Sequence, residues 1–259
     1  MATRRPEYEE KYMRGRKRQK RGGNPGRFLL LLAVICVLAV LIQGRIFVVR
    51  EIEVFGNSQK SIAEIAGMSG VSLGMNIFKV DKNEIERNFS ASSYVELVNA
   101  EVQMPDTVRL EVRERKACAA LNCAGVILLI DREGYILERT TSLPQKDNLI
   151  VISGMDVTVN SQSRMVESGV AGQTALMKRL LEALGEEQAE KLIAELNVTD
   201  PDNLYLVSHT GVQILIGDEE QLSAKLMWMR AVLEELTKNG VMKGVLDVSS
   251  GKNAVYAEN

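Results

Sequence analysis

An apolar run over residues 28–42 constrains this chain more than any other feature. The run is FLLLLAVICVLAVLI, fifteen consecutive residues without a charge or a hydroxyl group. With Gln43 and Gly44 it reaches about 17 residues, the lower end of what a membrane-spanning helix needs. Because the chain has no second run of this kind, the sequence predicts a single membrane anchor over residues 28–48. Five of its side chains are expected to form the anchor: Phe28, Leu32, Ile35, Leu38 and Ile42.

The residues on either side of this run decide between an anchor, a buried core helix and a signal peptide. Residues 1–27 carry ten Lys or Arg side chains and three Glu, a net charge of +7, which leaves −9 for the remainder of a chain whose total is −2. Basic flanks stay on the cytoplasmic side of a membrane. The exit from the run also lacks the small residues of a signal-peptide cleavage site. The sequence therefore predicts a retained single-pass anchor in the cytoplasmic membrane, with the N-terminus in the cytoplasm and the later domains outside it.

The basic tail itself, residues 1–27, is polar and has no apolar period, so it is predicted to be disordered. A tail of this kind can bind nucleic acid. Beside a membrane span, however, its expected roles are to set the topology and to contact anionic lipid headgroups. We therefore expect membrane lipids, and no nucleic acid, as its partners.

The sequence offers no metal or cofactor site. It holds one histidine and three cysteines, and no pair of cysteines has ligand spacing. His209 lies in a predicted turn, without an evident partner for general-base work. Cys118 and Cys123 lie in the exported part, where a disulfide is permitted, but they can equally be two small apolar residues of a sheet. The sequence leaves these two alternatives open.

Residues 49–116 predict a small α+β domain in the order β-α-α-β-β. Apolar and charged residues alternate from Val49 to Val54, which predicts the first strand. Ser61 and Asp81 each precede a Glu by three residues, the spacing of a capping box, and so predict the starts of two short helices.

The loop between these helices and the hairpin after them complete the first domain. The loop GVSLGMNIFKV is expected to return Leu73, Ile77 and Phe78 to the core. Two alternating stretches follow it and predict paired strands. Pro105 and Asp106 lie between them and suit positions i+1 and i+2 of a type I turn.

Residues 117–259 predict a second domain, a mostly antiparallel β-domain with a long helix packed on it. Short strands are expected at residues 126–130, 135–137, 149–152, 194–198, 204–208 and 212–216. One helix is expected to end at Gly185, and a longer one, over residues 219–238, is expected to be capped by Asp218. The longer helix could also form a coiled-coil seam, but the strands on both sides of it favour a core helix.

An anchored enzyme of the cell wall is the catalytic alternative. Ser249 and Lys252 have the S-x-x-K spacing of serine acyltransferases. That motif opens a helix, whereas these residues lie in a predicted Ser-Ser-Gly-Lys turn, and the chain contains no K-T-G. The sequence therefore predicts no catalytic residues.

Several short motifs follow one another along the first exported domain. They are Ile52-x-Val54-x-Gly56-Asn57, Gly74-x-Asn76-x-Phe78, Tyr94-Val95, Pro105, and Glu114-Arg115-Lys116-Ala117. In this order, directly after a membrane span and a basic tail, they resemble the POTRA domain of the bacterial cell-division proteins FtsQ and DivIB. Lys116 departs from the family, which usually carries Pro there. The later phrase GVQILIGDEEQLSAKLMWM, with Lys225-Leu226 in its helix and Asp247 in the strand beyond, resembles the β-domain of the same family.

The resemblance implies a non-catalytic, single-pass scaffold of the division machinery, enriched at the septum. Its implied partners are bitopic coiled-coil division proteins, the FtsB/DivIC-like and FtsL-like proteins. The alternative binding module is a POTRA protein that handles translocating polypeptides in secretion or outer-membrane assembly, which a barrel or tandem POTRA copies would indicate.

The last predicted strand is the expected site of partner binding. A final strand without a further element to cover it is expected to lie at a sheet edge, with N–H and C=O groups free to pair. An incoming strand can then add to that edge, while side chains select the partner. The strand could instead be central in its sheet. The residues of this predicted site are Asn253, Ala254, Val255 and Tyr256.

Overall fold

The computed structural model describes residues 25–43, 46–144, 148–158 and 164–258. An N-terminal helix, α1 (Pro25–Gln43), precedes two domains, each with its own hydrophobic core. One core draws on residues 47–112 and the other on residues 118–256. The tail of residues 1–24 lies outside the described residues, and the predicted topology is not tested by the fold.

Helix α1 carries its apolar side chains on the outside. Phe28 is 68% exposed, and Leu32, Ile35 and Leu38 are also exposed. The backbone of Ile42 belongs to the helix, but its side chain lies outside the described set. No helix in the described part of the chain has both the length and the hydropathy needed to cross a membrane. The membrane anchor therefore stays a prediction.

The first domain has the expected order β-α-α-β-β. Its elements are β1 (Glu51–Phe55), α2 (Ile62–Ser69), a 3₁₀ turn (Ile77–Lys79), α3 (Lys82–Ser90), β2 (Val95–Gln103) and β3 (Thr107–Glu114). The sheet order is β1-β3-β2, with β1 parallel to β3 and β2 antiparallel to it. Both helices pack on this sheet through residues such as Ile65, Ile85 and Phe89.

The predicted helix starts in this domain are correct. Ser61 caps α2 in a complete capping box, because its Oγ accepts from Glu64 N at 3.3 Å and its own N donates to the Glu64 carboxylate at 2.8 Å. Asp81 caps α3 by accepting from Asn83 N at 2.9 Å.

One detail of the first domain differs from the prediction. Of the loop residues expected in the core, Ile77 is buried, but Leu73 and Phe78 are 65% and 52% exposed. The reason is that the loop pairs its backbone with residues 47–49 and then enters the 3₁₀ turn, in which Ile77 is directed inward. The turn between β2 and β3 contains a cis Met104–Pro105 peptide bond.

The second domain is a nine-stranded mixed sheet with two helices on one face. Its strands are β4 (Ala119–Cys123), β5 (Val126–Ile130), β6 (Ile136–Thr140), β7 (Ile150–Ser153), β10 (Ile193–Asn197), β11 (Leu204–Ser208), β12 (Val212–Gly217), β13 (Gly244–Asp247) and β14 (Val255–Ala257). Two short strands, β8 (Val157–Thr158) and β9 (Glu167–Ser168), pair separately. The helices are α4 (Gln173–Glu186) and α5 (Leu222–Lys238).

The order of the nine-stranded sheet is β14-β13-β12-β11-β10-β7-β4-β5-β6. Five of its eight pairings are antiparallel and three are parallel, so the expectation of a mostly antiparallel domain holds. The buried residues of α4 and α5 share one core with alternate residues of these strands. The core therefore lies on one face of the sheet.

Two predicted helix boundaries in this domain differ from the structure by one to three residues, whereas the predicted end of the longer helix at Lys238 is correct. Helix α4 ends at Glu186, one residue after Gly185. A Cβ atom at Gly185 would come within 2.3 Å of the Arg132 side chain, so the glycine makes room for that guanidinium group.

Helix α5 begins at Leu222 after Gln221, whose φ is +52°. Asp218 therefore lies before the start of α5 and does not cap it. Its carboxylate accepts from Glu220 N at 3.0 Å and from the Lys225 Nζ at 2.7 Å.

Candidate partner-binding edge

Strand β14 is the outermost strand of the nine-stranded sheet. It pairs antiparallel with β13, and the register places Val255 opposite Asp247, Tyr256 opposite Leu246 and Ala257 opposite Val245. Among the described residues, no strand pairs with its other side. The strand thus has the edge position that the sequence argument anticipated.

The four predicted site residues divide between this strand and the turn before it. Val255 and Tyr256 belong to β14, whereas Asn253 and Ala254 precede it. Asn253 closes the turn, because its Oδ1 accepts from the Ser250 Oγ at 2.7 Å. Ala254 is half-buried and packs against the main core. Ala257 was not predicted, yet it completes the strand.

The two predicted residues on the strand face opposite sides of the sheet. Val255 is 58% exposed, while Tyr256 is half-buried against the main core. The Tyr256 hydroxyl donates to the Lys243 carbonyl, and its ring lies over Gly244. A Cβ atom at Gly244 would come within 2.6 Å of that ring, so this position needs a residue without a side chain. Tyr256 therefore fixes β14 to its neighbour, and Val255 is left for contact with a partner.

Val255 also ends a row of side chains on the face of the sheet that α4 and α5 do not cover. The register connects Val255 to Asp247, Asp247 to Leu215, and Leu215 to Tyr205. Tyr205 and Leu215 are half-buried. Sequence reasoning did not select these two residues, although a second set of apolar residues, out of phase with the core set, is visible in strands β11 and β12.

A salt bridge stabilises the turn between β12 and α5, which lies close to the turn before β14. Lys225 is 2% exposed, and its Nζ donates to the carbonyl and the carboxylate of Asp218, which follows β12. The hydrogen bond from Lys225, with a further one from Glu220 N, lowers the pKa of Asp218. The bridge holds the segment that contains Gln221, and a Cβ atom at Gly251 would come within 2.9 Å of the Gln221 side chain. The turn between β13 and β14 is thereby held against the start of α5.

The serine, lysine, histidine and cysteine side chains that could serve catalysis or metal binding lie in three different parts of the second domain. Ser249 and Lys252 are in the turn between β13 and β14, and no helix starts at Ser249. His209 is exposed in the turn between β11 and β12. Cys118 and Cys123 are free thiols, and burial raises the pKa of Cys118 to about 12. The described ranges contain no group of three His, Cys, Asp or Glu side chains that could hold a metal ion.

A charged cluster joins the two domains. Arg115 donates to Asp131 at 2.6 Å, to Glu96 at 2.9 Å and to Glu133 at 3.1 Å, and its guanidinium lies 4.4 Å from the centre of the Tyr135 ring. Burial opposes the charge on Arg115, but its hydrogen bonds to Asp131 and Glu133 outweigh burial and raise its pKa. We call these five residues the interdomain clamp. The clamp lies directly beside Lys116, in the connection between the two domains.

The carboxylate of Glu114, beside this clamp, is held by backbone amides. It accepts from the N–H groups of Ser58, Gln59 and Lys60 at 2.8–3.0 Å, and from the Ser58 hydroxyl at 3.0 Å. Burial raises the pKa of Glu114, but the backbone hydrogen bonds outweigh it and lower the pKa to about 2. This contact ties the end of β3 to the turn after β1.

Comparison with known proteins agrees with both domains. A model of the POTRA domain, FtsQ-type, matches residues 47–115. A model of the cell division protein FtsQ/DivIB C-terminal domain matches residues 121–249.

Relatives extend over most of the chain. The cell division protein DivIB of Clostridium tetani is 26% identical over 231 residues, 88% of this chain and 84% of the relative. The cell division protein FtsQ of Koribacter versatilis is 32% identical over 153 residues, 59% of this chain and 43% of the relative. FtsQ of Chloroflexus aggregans is 24% identical over 210 residues, 81% and 74% of the two chains. With a POTRA domain followed by the C-terminal domain in the expected order, the chain belongs to the FtsQ/DivIB family of cell-division proteins.

Proposed function

We propose that this chain is a non-catalytic, single-pass membrane scaffold of the bacterial divisome that binds other bitopic division proteins outside the cytoplasm. The observation that carries the proposal is the edge position of β14, with an exposed Val255 and no described strand on its outer side. Such an edge can accept a strand from another chain through main-chain hydrogen bonds. The family membership supports division as the process in which this binding takes place.

The proposed topology places α1 in the cytoplasmic membrane and both folded domains on the outside. Its support is the apolar run of residues 28–42, whose described side chains pack against no core, together with the net charge of +7 on residues 1–27. The protein is then positioned at the septum together with its partners. Tethering to the same membrane also raises the effective concentration of those partners near β14.

The proposed partners are FtsB/DivIC-like and FtsL-like proteins. As bitopic proteins, they would each have an extracytoplasmic segment next to their own membrane span. A strand from such a segment can extend the nine-stranded sheet at β14, and the half-buried Tyr205 and Leu215 offer apolar contacts on the open face of the sheet. No cofactor or small-molecule substrate enters this function.

The test of this function is a proline scan along β14. Proline is introduced singly at Val255, Tyr256 and Ala257, because it removes one backbone donor at a time. Where the N–H group points outward, the variant is expected to fold normally and to lose copurification with the FtsB/DivIC-like partner. Where the N–H group pairs with β13, the melting temperature is expected to fall as well.

Strand β6 provides the control for this scan, because it lies at the opposite edge of the same sheet. Arg139→Pro changes the backbone of that edge and is expected to retain partner capture. If all three strand variants fold and capture the partner like the parent protein, the binding site lies elsewhere on the exported domains.

A further inference from the structure

An apolar ridge on the first domain lies at the point where the chain leaves α1. Ile46 is 49% exposed, and Phe78 is 52% exposed. The Phe47 ring packs against the Phe78 ring with 5.2 Å between centroids. We call Ile46, Phe47 and Phe78 the apolar ridge. Phe78 was expected in the core together with Ile77, but only Ile77 is buried. The exposed position of this large aromatic side chain therefore needs another explanation.

Backbone hydrogen bonds fix the ridge in place. Ile77 N donates to Phe47 O at 3.0 Å, and Val49 N donates to Met75 O at 2.8 Å. Val48 bridges Asn76 in antiparallel fashion. In this antiparallel register Ile46 and Phe78 belong to the same end of the pair, the end nearest α1. The ridge is therefore a built part of the domain.

The covalent chain limits how far this ridge can be from the end of α1. Ile46 is three positions after Gln43 in the sequence, and three extended residues span at most about 10 Å. The headgroup layer on each side of a bilayer is about 5–7 Å thick. If α1 spans the membrane, Ile46 and its neighbours must lie within or directly above the headgroups.

The residues next to the apolar ridge are of the types that are favoured at a membrane interface. Lys79 follows Phe78 and is exposed, and Arg45 precedes Ile46 in the sequence. Aromatic rings are favoured at the headgroup level, and long basic side chains can reach the phosphates there. The nearby Asp81 has its carboxylate engaged with Asn83 N and lies 3.9 Å from Arg87, so its charge is partly compensated.

We propose that the apolar ridge docks the first domain onto the outer surface of the membrane, with Phe78 inserted at the level of the lipid headgroups. The occupant of the ridge is the lipid bilayer. This proposal rests on the membrane anchor of the proposed function. Docking at the ridge restricts how the first domain tilts on its short connection to α1, and so controls the height and direction at which β14 is presented.

The experiment uses the full chain reconstituted in vesicles of phosphatidylcholine and phosphatidylglycerol. The chain has a single tryptophan, Trp228, which is partly exposed on α5, so Trp228→Phe gives a background without tryptophan fluorescence. Phe78→Trp then places a probe on the ridge. Its fluorescence is measured with phosphatidylcholine brominated near the top of its acyl chains, which quenches tryptophans at that depth.

Phe55→Trp is the matched control. Phe55 is 49% exposed, close to the value for Phe78, but it lies at the far end of β1. Phe55 lies nine positions after Ile46 and at the end of β1 away from the apolar ridge, so the chain between them allows a separation of at most about 30 Å. We expect quenching of the Phe78→Trp protein to exceed that of the Phe55→Trp protein by roughly twofold or more, with a blue-shifted emission for Phe78→Trp alone.

Flotation of the same vesicles after an alkaline wash separates the possible failures. If the protein floats and Phe78→Trp is not quenched, the anchor stands and the docking proposal is overturned. Equal quenching of both probes overturns it too, because the whole domain would then lie on the lipid without a specific ridge. If the protein does not float, the anchor itself is wrong and docking is rejected together with it.

Discussion

The carboxylate of Glu114 connects two distant segments of the first domain. Four hydrogen bonds reach it from residues that are more than fifty positions earlier in the sequence, and they join the turn after β1 to the end of β3. A carboxylate that accepts several backbone N–H groups is stabilised in its charged form. Glu114 thus holds the turn after β1 against the end of β3 through hydrogen bonds.

The pH dependence of this contact follows from the direction in which the pKa of Glu114 is shifted. The folded-state pKa of Glu114 is about 2, below the ordinary value of 4.5. Its contribution to stability is therefore fully present above the ordinary value and is lost as the pH falls toward the folded-state value. We expect Glu114→Gln to destabilise the first domain by about 1 kcal/mol at neutral pH, discounted for exposure of the group.

Thermal unfolding of the parent protein and of Glu114→Gln, measured from neutral pH down to the acid range, checks this expectation. The difference between them should shrink as the pH falls. Glu111→Gln is the control, since Glu111 is an exposed carboxylate on the same strand, β3. A difference that stays constant with pH would contradict the proposed role of the Glu114 charge.

At the scale of elements, the position of β14 depends on its packing against β13. Gly244 has φ +140°, and a side chain there would meet the Tyr256 ring and the Ala257 carbonyl. The strand can approach this closely only because Gly244 has no Cβ atom. The edge of the sheet is therefore set by a glycine in the neighbouring strand.

Gly244→Ala is expected to displace β14 and to abolish partner capture. The backbone strain alone should cost about 1 kcal/mol or more, and the clash with Tyr256 adds to it. Gly240→Ala is a matched control, because Gly240 also has positive φ (+71°) but open space around its Cβ direction. Copurification and the melting temperature are measured for both. Retention of the partner by a folded Gly244→Ala protein would show that close packing of β14 against β13 is not required for partner binding.

At the scale of the whole molecule, the interdomain clamp sets how the two domains are oriented. Arg115 has only 10% of its side chain exposed, as does Asp131, so this pair is largely shielded from water. Breaking one partner of such a pair leaves the other charge uncompensated. Further hydrogen bonds also join the domains, from Arg113 to Glu133, from Tyr94 to Glu138 and from Arg164 to the Ser90 carbonyl. Arg115 is the most deeply shielded of these contacts, so we expect the relative orientation of the domains to depend on it in large part.

Arg115→Met is expected to loosen the joint and to destabilise the protein by about 2–4 kcal/mol. Arg109→Met removes an ion pair with Glu53 inside the first domain, where the arginine is 41% exposed, and is expected to cost about 0–1 kcal/mol. Spin labels at the exposed Lys82 and Lys238, in a background without cysteines, report the distance between the domains. The distribution should broaden for Arg115→Met only; equal distributions for both variants would contradict the clamp.

The topology of the whole chain has its own test. In spheroplasts, added protease is expected to digest the domains after Val49 and to leave residues 1–27 intact, because the basic tail stays in the cytoplasm. Disruption of the membrane should make the tail accessible, which serves as the internal control. Protection of the C-terminal domain in intact spheroplasts would refute both the proposed topology and the proposed function.

The sequence by itself determined the features that depend on local order along the chain. Alternation, capping residues and turn residues predicted the β-α-α-β-β order, the Ser61 capping box and most strands of the second domain, because these signals act over only a few residues. The motifs on these elements were also sufficient to indicate the family.

Only the tertiary structure decided the features that depend on residues distant in sequence. Arg132 packs against Gly185 near the end of α4, and Lys225 binds the carboxylate of Asp218 ahead of the start of α5 at Leu222. Residues distant in sequence also decide three further features. These are the order of the strands, the row formed with Tyr205 and Leu215, and the exposure of Phe78. Each results from long-range pairing and packing, in which the environment of a residue is supplied by segments that its own neighbours in the sequence do not specify.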